Sequence, residues 1–173
     1  SELLKKIPKS KLFLKYKSLN IGYYKDSIKK KFEKNGINES QLILGGSSPR
    51  EDLLREYNKV DISLDPFPYS GGTTNFESVW MGVPILTLKG KKFISKCGES
   101  VNHNLGMSDW IADDEENFIS KASLFCSNLD KLSDLRAHLR QKALDSPLFD
   151  SKKFANDFHE AVWKMWKIFL NKN

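Results

Sequence analysis

Two glycines, two threonines and a glutamate lie close together between a predicted strand and a predicted helix. Gly71 and Gly72 let the backbone approach a ligand closely and leave their N–H groups free. Thr73 and Thr74 add hydroxyl donors at the N-terminus of the predicted helix, where the helix dipole attracts anions. Glu77, one turn further on, can accept hydrogen bonds from a ribose diol. The pattern therefore predicts a site for a phosphate or pyrophosphate group.

A purely structural interpretation fits the same residues. Thr74 and Glu77 have the spacing of a capping box, and Gly71 and Gly72 on their own can form a tight turn. A helix cap and an anion site can coexist, because the cap also shapes the first turn of the helix. The residues alone leave both interpretations open.

Other kinds of active site have no support in the sequence. It contains no GxSxG elbow, Walker loop, GxGxxG or HExxH motif. His103, His138 and His159 fall on separate predicted helices without a neighbour at metal-ligand spacing, so no metal site is predicted. Cys97 and Cys126 have neither metal nor redox spacing. We predict two reduced thiols in a cytoplasmic protein.

The elements around the glycine-threonine stretch alternate between strand and helix, which predicts an α/β domain with a mainly parallel sheet. At 173 residues, the chain is expected to form one domain over 1–173. The predicted strands are 11–16, 41–44, 61–64, 83–88 and a short piece at 109–112, and the predicted helices are 23–35, 49–58, 74–81, 94–105, 114–127, 130–144 and 151–170.

Capping residues and glycines set the ends of these predicted helices. Ser48 is expected to cap the helix that follows it, with Pro49 at its first position and Glu51 closing a capping box. Asp113 and Glu116 are expected to form a second capping box. Three glycines are expected to terminate helices: Gly36, Gly82 and Gly106.

The last predicted helix, 151–170, carries an aromatic stripe at three- and four-residue spacing. Such a stripe is typical of a helix packed into the core, and the alternative is a helix that packs across another domain. The stripe consists of Phe154, Phe158, Ala161, Met165 and Phe169, widened by Trp163 and Trp166.

The net charge of +6 is concentrated at the N-terminus. Residues 1–34 contain eleven lysines and three acids, whereas the remainder sums to −2. Arginine, the preferred reader of base edges, is scarce, and the lysines lack interleaved aromatics, so no nucleic-acid binding is predicted. We expect the lysines of residues 1–34 to form a solvated face, or alternatively a surface that contacts an acidic partner. The sequence has no apolar run of the ~18–20 residues that a membrane span needs, so no membrane association is expected.

Several stretches together resemble the O-linked N-acetylglucosamine transferase family, in particular its bacterial and SPINDLY-like members. They include DISLDPFPYSGGTT at 61–74, ESVWMGVPILTL at 77–88 and FISKCGES at 93–100. The resemblance implies a GT-B glycosyltransferase made of two Rossmann-like halves, often preceded by tetratricopeptide repeats. It also implies that this chain is the C-terminal half, a Rossmann-like three-layer domain with a long C-terminal helix, which holds the UDP part of a UDP-sugar donor.

The resemblance also assigns residue roles. Gly72, Thr73 and Thr74, beside Gly71, would cradle the diphosphate, Glu77 would hold the ribose, and Arg50 would line the nucleoside pocket. Neither metal nor cofactor is implied. The catalytic base, the contacts with the acceptor protein and a diphosphate-binding lysine would all lie upstream of Ser1.

This chain departs from the family pattern at two positions. Leu53 and Gly72 stand where some members have histidine, which leaves the choice of nucleotide open. The sequence therefore keeps two further interpretations: a degenerate domain that binds a partner without a donor site, and a related enzyme whose acceptor is asparagine or a glycan.

Overall fold

The computed structural model describes residues 1–171 as alternating helices and short strands. The strands are β1 (Leu12–Lys15), β2 (Leu42–Gly45), β3 (Ser63–Leu64), β4 (Ile85–Leu88) and β5 (Ile111–Ala112). The helices are α1 (Glu2–Lys6), α2 (Gly22–Glu33), α3 (Arg50–Glu56), α4 (Thr73–Trp80), α5 (Cys97–Asn104), α6 (Glu115–Cys126), α7 (Leu129–Leu144) and α8 (Ser151–Leu170).

The strand pairing within residues 1–171 is parallel throughout, as predicted, but it is divided between two sheets. One sheet contains β1 and β2, with Leu12 opposite Leu42. The other has the order β3-β4-β5, with Ser63 opposite Ile85 and Thr87 opposite Ile111. Because parallel neighbours end at the same edge, the loops after β3 and β4 lie side by side. The ligand-binding edge of an open α/β sheet is this carboxyl edge.

The main hydrophobic core packs against α4. Val79 on α4 and Ile85 and Leu86 on β4 are fully buried, and Leu139 on α7 is buried with them. Val101 and Leu105 on α5 complete the same cluster. Removing this much apolar surface from water fixes the position of α4 relative to the sheet. The N-terminus of α4 is therefore presented by a rigid scaffold.

The predicted glycine stops are confirmed. Gly36, Gly82 and Gly106 have φ values of 75°, 73° and 63°, a left-handed conformation that favours glycine. At Gly82 the space is also restricted, since a Cβ would lie 2.7 Å from the carbonyl oxygen of Arg136.

Both predicted N-terminal caps are displaced. Helix α3 begins at Arg50 with Pro49 as its N-cap, so Ser48 lies too early to cap it, and its buried hydroxyl has no hydrogen-bond partner within residues 1–171. Helix α6 begins at Glu115, and the carboxylate of Asp114, rather than that of Asp113, accepts the N–H of Asn117 at 2.7 Å. Where two adjacent acids can cap, the residue next to the first helical position does so.

Helix α8 has the predicted bounds, but the prediction that it packs into the core is wrong. None of its residues is buried, and Trp163 and Trp166 are 52% and 48% exposed. The large apolar side chains of the stripe are thus exposed, as are the other residues of α8. The alternative, packing across another domain, stays a prediction. None of the helices described here is long and apolar enough to cross a membrane.

Candidate functional site

The N-terminus of α4 presents a cluster of free donors. Gly72 is the N-cap residue and has no side chain that could accept a hydrogen bond from the first N–H groups of the helix. The N–H groups of Gly72, Thr73 and Thr74 have no acceptor among residues 1–171, and all three residues are exposed. The hydroxyls of both threonines are likewise unpaired within that range. Unpaired N–H groups at the positive end of a helix attract an anion.

The capping-box interpretation of Thr74 and Glu77 is wrong. Helix α4 begins at Thr73, so Thr74 lies inside the first turn rather than at the cap, and no side chain caps this helix. Glu77 instead turns toward α3. The donors that a capping box would have satisfied are therefore open to a ligand.

The two glycines have different roles. The N–H of Gly71 is not free as predicted, because it donates to Asp65 Oδ1 at 2.7 Å. A Cβ at Gly71 would lie 2.6 Å from both Thr74 Oγ1 and Asn75 Oδ1. A Cβ at Gly72 would meet nothing within 4 Å. Gly71 is therefore required by close packing inside the turn, whereas Gly72 faces the space in which a ligand would lie.

A buried carboxylate that the sequence analysis did not single out holds this turn together. Asp65 is 5% exposed and accepts four hydrogen bonds. Oδ1 accepts from Gly71 N–H at 2.7 Å and Asn75 Nδ2 at 3.1 Å. Oδ2 accepts from Ser70 Oγ at 2.6 Å and Thr87 Oγ1 at 2.7 Å. A buried charge this well satisfied ties the turn and α4 to β4.

The neighbouring loop is tied to the same turn through Ser70. Its hydroxyl accepts the N–H of Gly98 at 2.8 Å, and its own N–H donates to the carbonyl of Ile94 at 3.0 Å. The signal that could have found Asp65 is an acid directly after a strand, followed by serine, threonine and asparagine side chains that can donate to it. The loop at the N-terminus of α4 is therefore positioned by both neighbouring elements.

The structure brings together two of the predicted nucleoside-binding residues, which are 27 positions apart. Arg50 Nη1 donates to Glu77 Oε1 at 2.6 Å. The Glu77 side chain is 10% exposed and that of Arg50 is 67% exposed, so the pair lies at the rim of the site. An arginine bound on one oxygen fixes the orientation of the carboxylate and adds positive charge beside the α4 N-terminus.

Tyr57, on the turn after α3, adds to this pair. Its hydroxyl donates to the carbonyl of Thr74 at 3.3 Å. Burial, and secondarily the negative charge of Glu77, raises the pKa of Tyr57. Leu53, which lies between Arg50 and Tyr57 in the sequence, is half-buried on α3. Arg50 and Tyr57 thus hold α3 and its following turn beside the first turn of α4.

The remaining candidate residues make other contacts. His103 Nδ1 lies 3.1 Å from Ser108 Oγ, and His138 Nδ1 lies 2.9 Å from the carbonyl of Asp134. Cys97 and Cys126 are free thiols, and burial, followed by the charge of Asp61, raises the pKa of Cys126. Residues 1–171 contain no group of three or more His, Cys, Asp or Glu placed to hold a metal ion.

Comparison with known proteins identifies the family of this chain. Residues 1–158 match the family described as Glycosyl transferase family 41. A tomato (Solanum lycopersicum) protein described as a probable UDP-N-acetylglucosamine–peptide N-acetylglucosaminyltransferase SPINDLY is 31% identical over 99% of this chain, which spans 18% of its length. A Caenorhabditis elegans UDP-N-acetylglucosamine–peptide N-acetylglucosaminyltransferase is 26% identical over 96% of this chain and 14% of its own.

A solved structure shows the same fold. A lysine-to-methionine variant of the Thermobaculum terrenum O-GlcNAc transferase superposes with a TM-score of 0.90 and 31% identity, over 95% of this chain and 32% of that one. The prediction of a Rossmann-like half of a GT-B glycosyltransferase with a long C-terminal helix is thereby confirmed. The match over most of the chain shows that it belongs to glycosyltransferase family 41.

Proposed function

We propose that residues 1–173 form the nucleotide-sugar-binding domain of an inverting glycosyltransferase, which moves N-acetylglucosamine or a hexose from a UDP donor to a protein side chain. The observation that carries this proposal is the set of free donors at the N-terminus of α4, next to the Arg50–Glu77 pair. The names of the relatives support the donor and the acceptor class.

The diphosphate of the donor lies on the N–H groups of Gly72, Thr73 and Thr74 and on the two threonine hydroxyls. Each of these groups is free to donate, and the helix dipole adds to their attraction for a phosphate. Asp65 holds Gly71 and Asn75 in place and so fixes the direction of these donors before the ligand arrives. Preorganised donors of this kind stabilise charge without a reorganisation cost at the moment of reaction.

The ribose lies on Glu77 and the nucleobase near Arg50. Because Arg50 occupies Oε1, the second oxygen of Glu77 is the one assigned to the ribose hydroxyls. Leu53 offers the base an apolar contact and no hydrogen bond, so discrimination between nucleobases depends on other groups in the pocket.

In the reaction, the acceptor hydroxyl attacks the anomeric carbon from the face opposite the diphosphate. The new glycosidic bond forms as the bond to the diphosphate oxygen breaks, and the configuration inverts. The bonding pair stays on UDP, whose charge the α4 donors stabilise, and the acceptor proton passes to a base outside this chain. This domain contributes positioning and charge stabilisation of the leaving group.

We assign the remaining parts of the reaction to a longer, bacterial and cytoplasmic parent with an N-terminal half and tetratricopeptide repeats. That half would supply the acceptor site, the base and a further diphosphate-binding lysine. It would also cover the apolar stripe of α8, whose large side chains are exposed in the structure. The chain spans 18% of the length of the tomato relative, which leaves room for such parts.

A transfer assay with labelled UDP-sugars tests the proposal. The full-length parent is expected to glycosylate a protein acceptor, and Glu77→Ala is expected to raise KM for the donor while acceptor KM stays unchanged. The isolated 173-residue chain is expected to bind UDP weakly and to transfer nothing. Transfer by the isolated chain, or full donor affinity in the Glu77→Ala parent, would refute this division of roles.

A degenerate domain that only binds a partner is the second candidate, favoured by Leu53 and Gly72 at positions where relatives can carry histidine. It predicts no UDP binding even in the full-length parent. An enzyme with an asparagine or glycan acceptor differs only in product, so mass spectrometry of the modified acceptor separates it from the proposed activity.

A further inference from the structure

Two loops at the carboxyl edge of the β3-β4-β5 sheet form a continuous surface beside the donor site. One loop, 65–72, follows β3, and the other, 89–96, follows β4. The N–H of Ser70 donates to the carbonyl of Ile94 at 3.0 Å, which joins them. A Cβ at Gly90 would lie 3.2 Å from the ring of Phe67, so this ring lies close to the backbone of the second loop. Both loops begin at the carboxyl end of their strands, and the first of them is the segment that leads into α4.

The aromatic side chains of these loops are exposed. Phe93 is 86% exposed, Tyr69 72% and Phe67 52%. Large rings this accessible contribute little to the core, and clusters of them are typical of surfaces that meet a partner. We refer to Phe67, Tyr69 and Phe93 together with Lys91, Lys92 and Lys96 as the basic aromatic surface.

The lysines of this surface have no acidic partner. Lys91, Lys92 and Lys96 are exposed, and no carboxylate within residues 1–171 pairs with them, whereas the adjacent Lys89 lies 3.7 Å from Asp113. Lys96 is also the N-cap residue of α5. A cation at the positive end of a helix opposes the helix dipole, so this placement does not stabilise the fold.

We propose that the basic aromatic surface binds an acidic segment that flanks the modified residue of the acceptor polypeptide, while the modified residue itself lies in the acceptor site of the N-terminal half. This inference rests on the proposed glycosyltransferase function. Unpaired lysines complement acidic side chains, and exposed rings provide the apolar contacts that anchor a peptide. The surface contains lysine but no arginine, so it lacks the side chain that reads nucleic-acid base edges. Binding here selects acceptors by the sequence around the modified residue.

The test measures fluorescence anisotropy of a short labelled peptide with several glutamates and one phenylalanine, titrated with the 173-residue chain. Binding is expected to weaken with salt, and to weaken roughly tenfold in the Lys91→Glu, Lys92→Glu, Lys96→Glu triple variant, because each exposed pair contributes a modest share. Phe93→Ala is expected to weaken binding without changing its salt dependence. The same peptide with glutamine in place of glutamate is expected to bind the unchanged chain about as weakly as the acidic peptide binds the triple variant, and without dependence on salt.

A charge-matched control uses Lys30→Glu, Lys31→Glu and Lys34→Glu, which make the same charge change at the end of α2. The proposal is overturned if this control weakens peptide binding as much as the loop variant, or if oligonucleotides bind more tightly than the peptide. It is also overturned if the loop variant loses UDP affinity in equal measure, since the lysines would then serve the donor. Normal UDP binding without peptide binding refutes the acceptor surface alone, whereas peptide binding without UDP binding refutes the donor site.

Discussion

Replacing Thr87 by valine isolates one hydrogen bond to the buried Asp65 carboxylate. Thr87 lies on β4 and is 1% exposed, and its hydroxyl donates to Asp65 Oδ2 at 2.7 Å. Valine has nearly the same shape and a high strand propensity, so the main change is the lost donor. Oδ2 then keeps only the bond from Ser70 Oγ.

The expected cost follows from the charge and burial of the acceptor. A hydrogen bond to a charged group contributes about 1.5–3 kcal/mol, and a buried carboxylate left undersatisfied lies at the upper end of this range. For a domain of this size, 1 kcal/mol corresponds to about 2–4 °C in Tm, so we expect a fall of roughly 5–10 °C. Since α4 is still held by Gly71 and Asn75, UDP affinity should fall only slightly at temperatures where the variant is folded.

The matched control is Thr73→Val, at an exposed hydroxyl without a partner in residues 1–171. Urea unfolding and UDP calorimetry on both variants should give opposite results. Thr87→Val loses stability and Thr73→Val loses donor affinity. An unfolding free energy for Thr87→Val within about 0.5 kcal/mol of the parent, the usual spread of neutral surface changes, would refute the role given to Asp65.

Three further predictions follow from the same geometry. Gly98→Ala should lose about 1–3 kcal/mol in urea unfolding, because its Cβ would lie 2.1 Å from Asp65 Oδ2, whereas Gly22→Ala, with nothing within 4 Å, should lose none. The raised pKa of Tyr57 means that its contribution to stability is complete below the ordinary tyrosine pKa and is lost as pH rises through the raised value. Glu77→Gln should lower the pKa of Tyr57 in a phenolate absorbance titration, because it removes the negative charge. An unchanged titration would contradict the effect assigned to the Glu77 charge. Removing α8 should change the unfolding free energy by less than about 1 kcal/mol, since none of its residues is buried, and a larger loss would show that it packs on the core.

Features governed by local chemistry could be predicted from the sequence. The strand–helix alternation, the glycine stops at Gly36, Gly82 and Gly106, and the bounds of α8 follow from periodicity and backbone conformation, and the structure confirms them. The predicted caps at Ser48 and Asp113 each lie one residue before the observed N-caps, Pro49 and Asp114. Asp113 and Asp114 can each cap a helix by side-chain chemistry, and helix ends shift by a residue with packing, which the sequence does not encode locally.

Features that depend on distant residues could not be predicted in the same way. Asp65 gains its role from partners as far away as Thr87, 22 positions along the chain, and no spacing rule connects them. The free amide expected at Gly71 is occupied for the same reason. The amphipathic pattern of α8 identifies an apolar face, but not what covers it, and none of the α8 residues is buried in the structure.

The most direct test of the donor site is an amide NMR titration of the chain with UDP, with ADP as the control. We expect shifts concentrated at Gly72, Thr73, Thr74 and Arg50, larger with UDP than with ADP, and a weaker response in Thr73→Val. Saturable shifts elsewhere in the chain, with those four amides unchanged, would contradict the assignment of the α4 N-terminus as the site that holds the diphosphate.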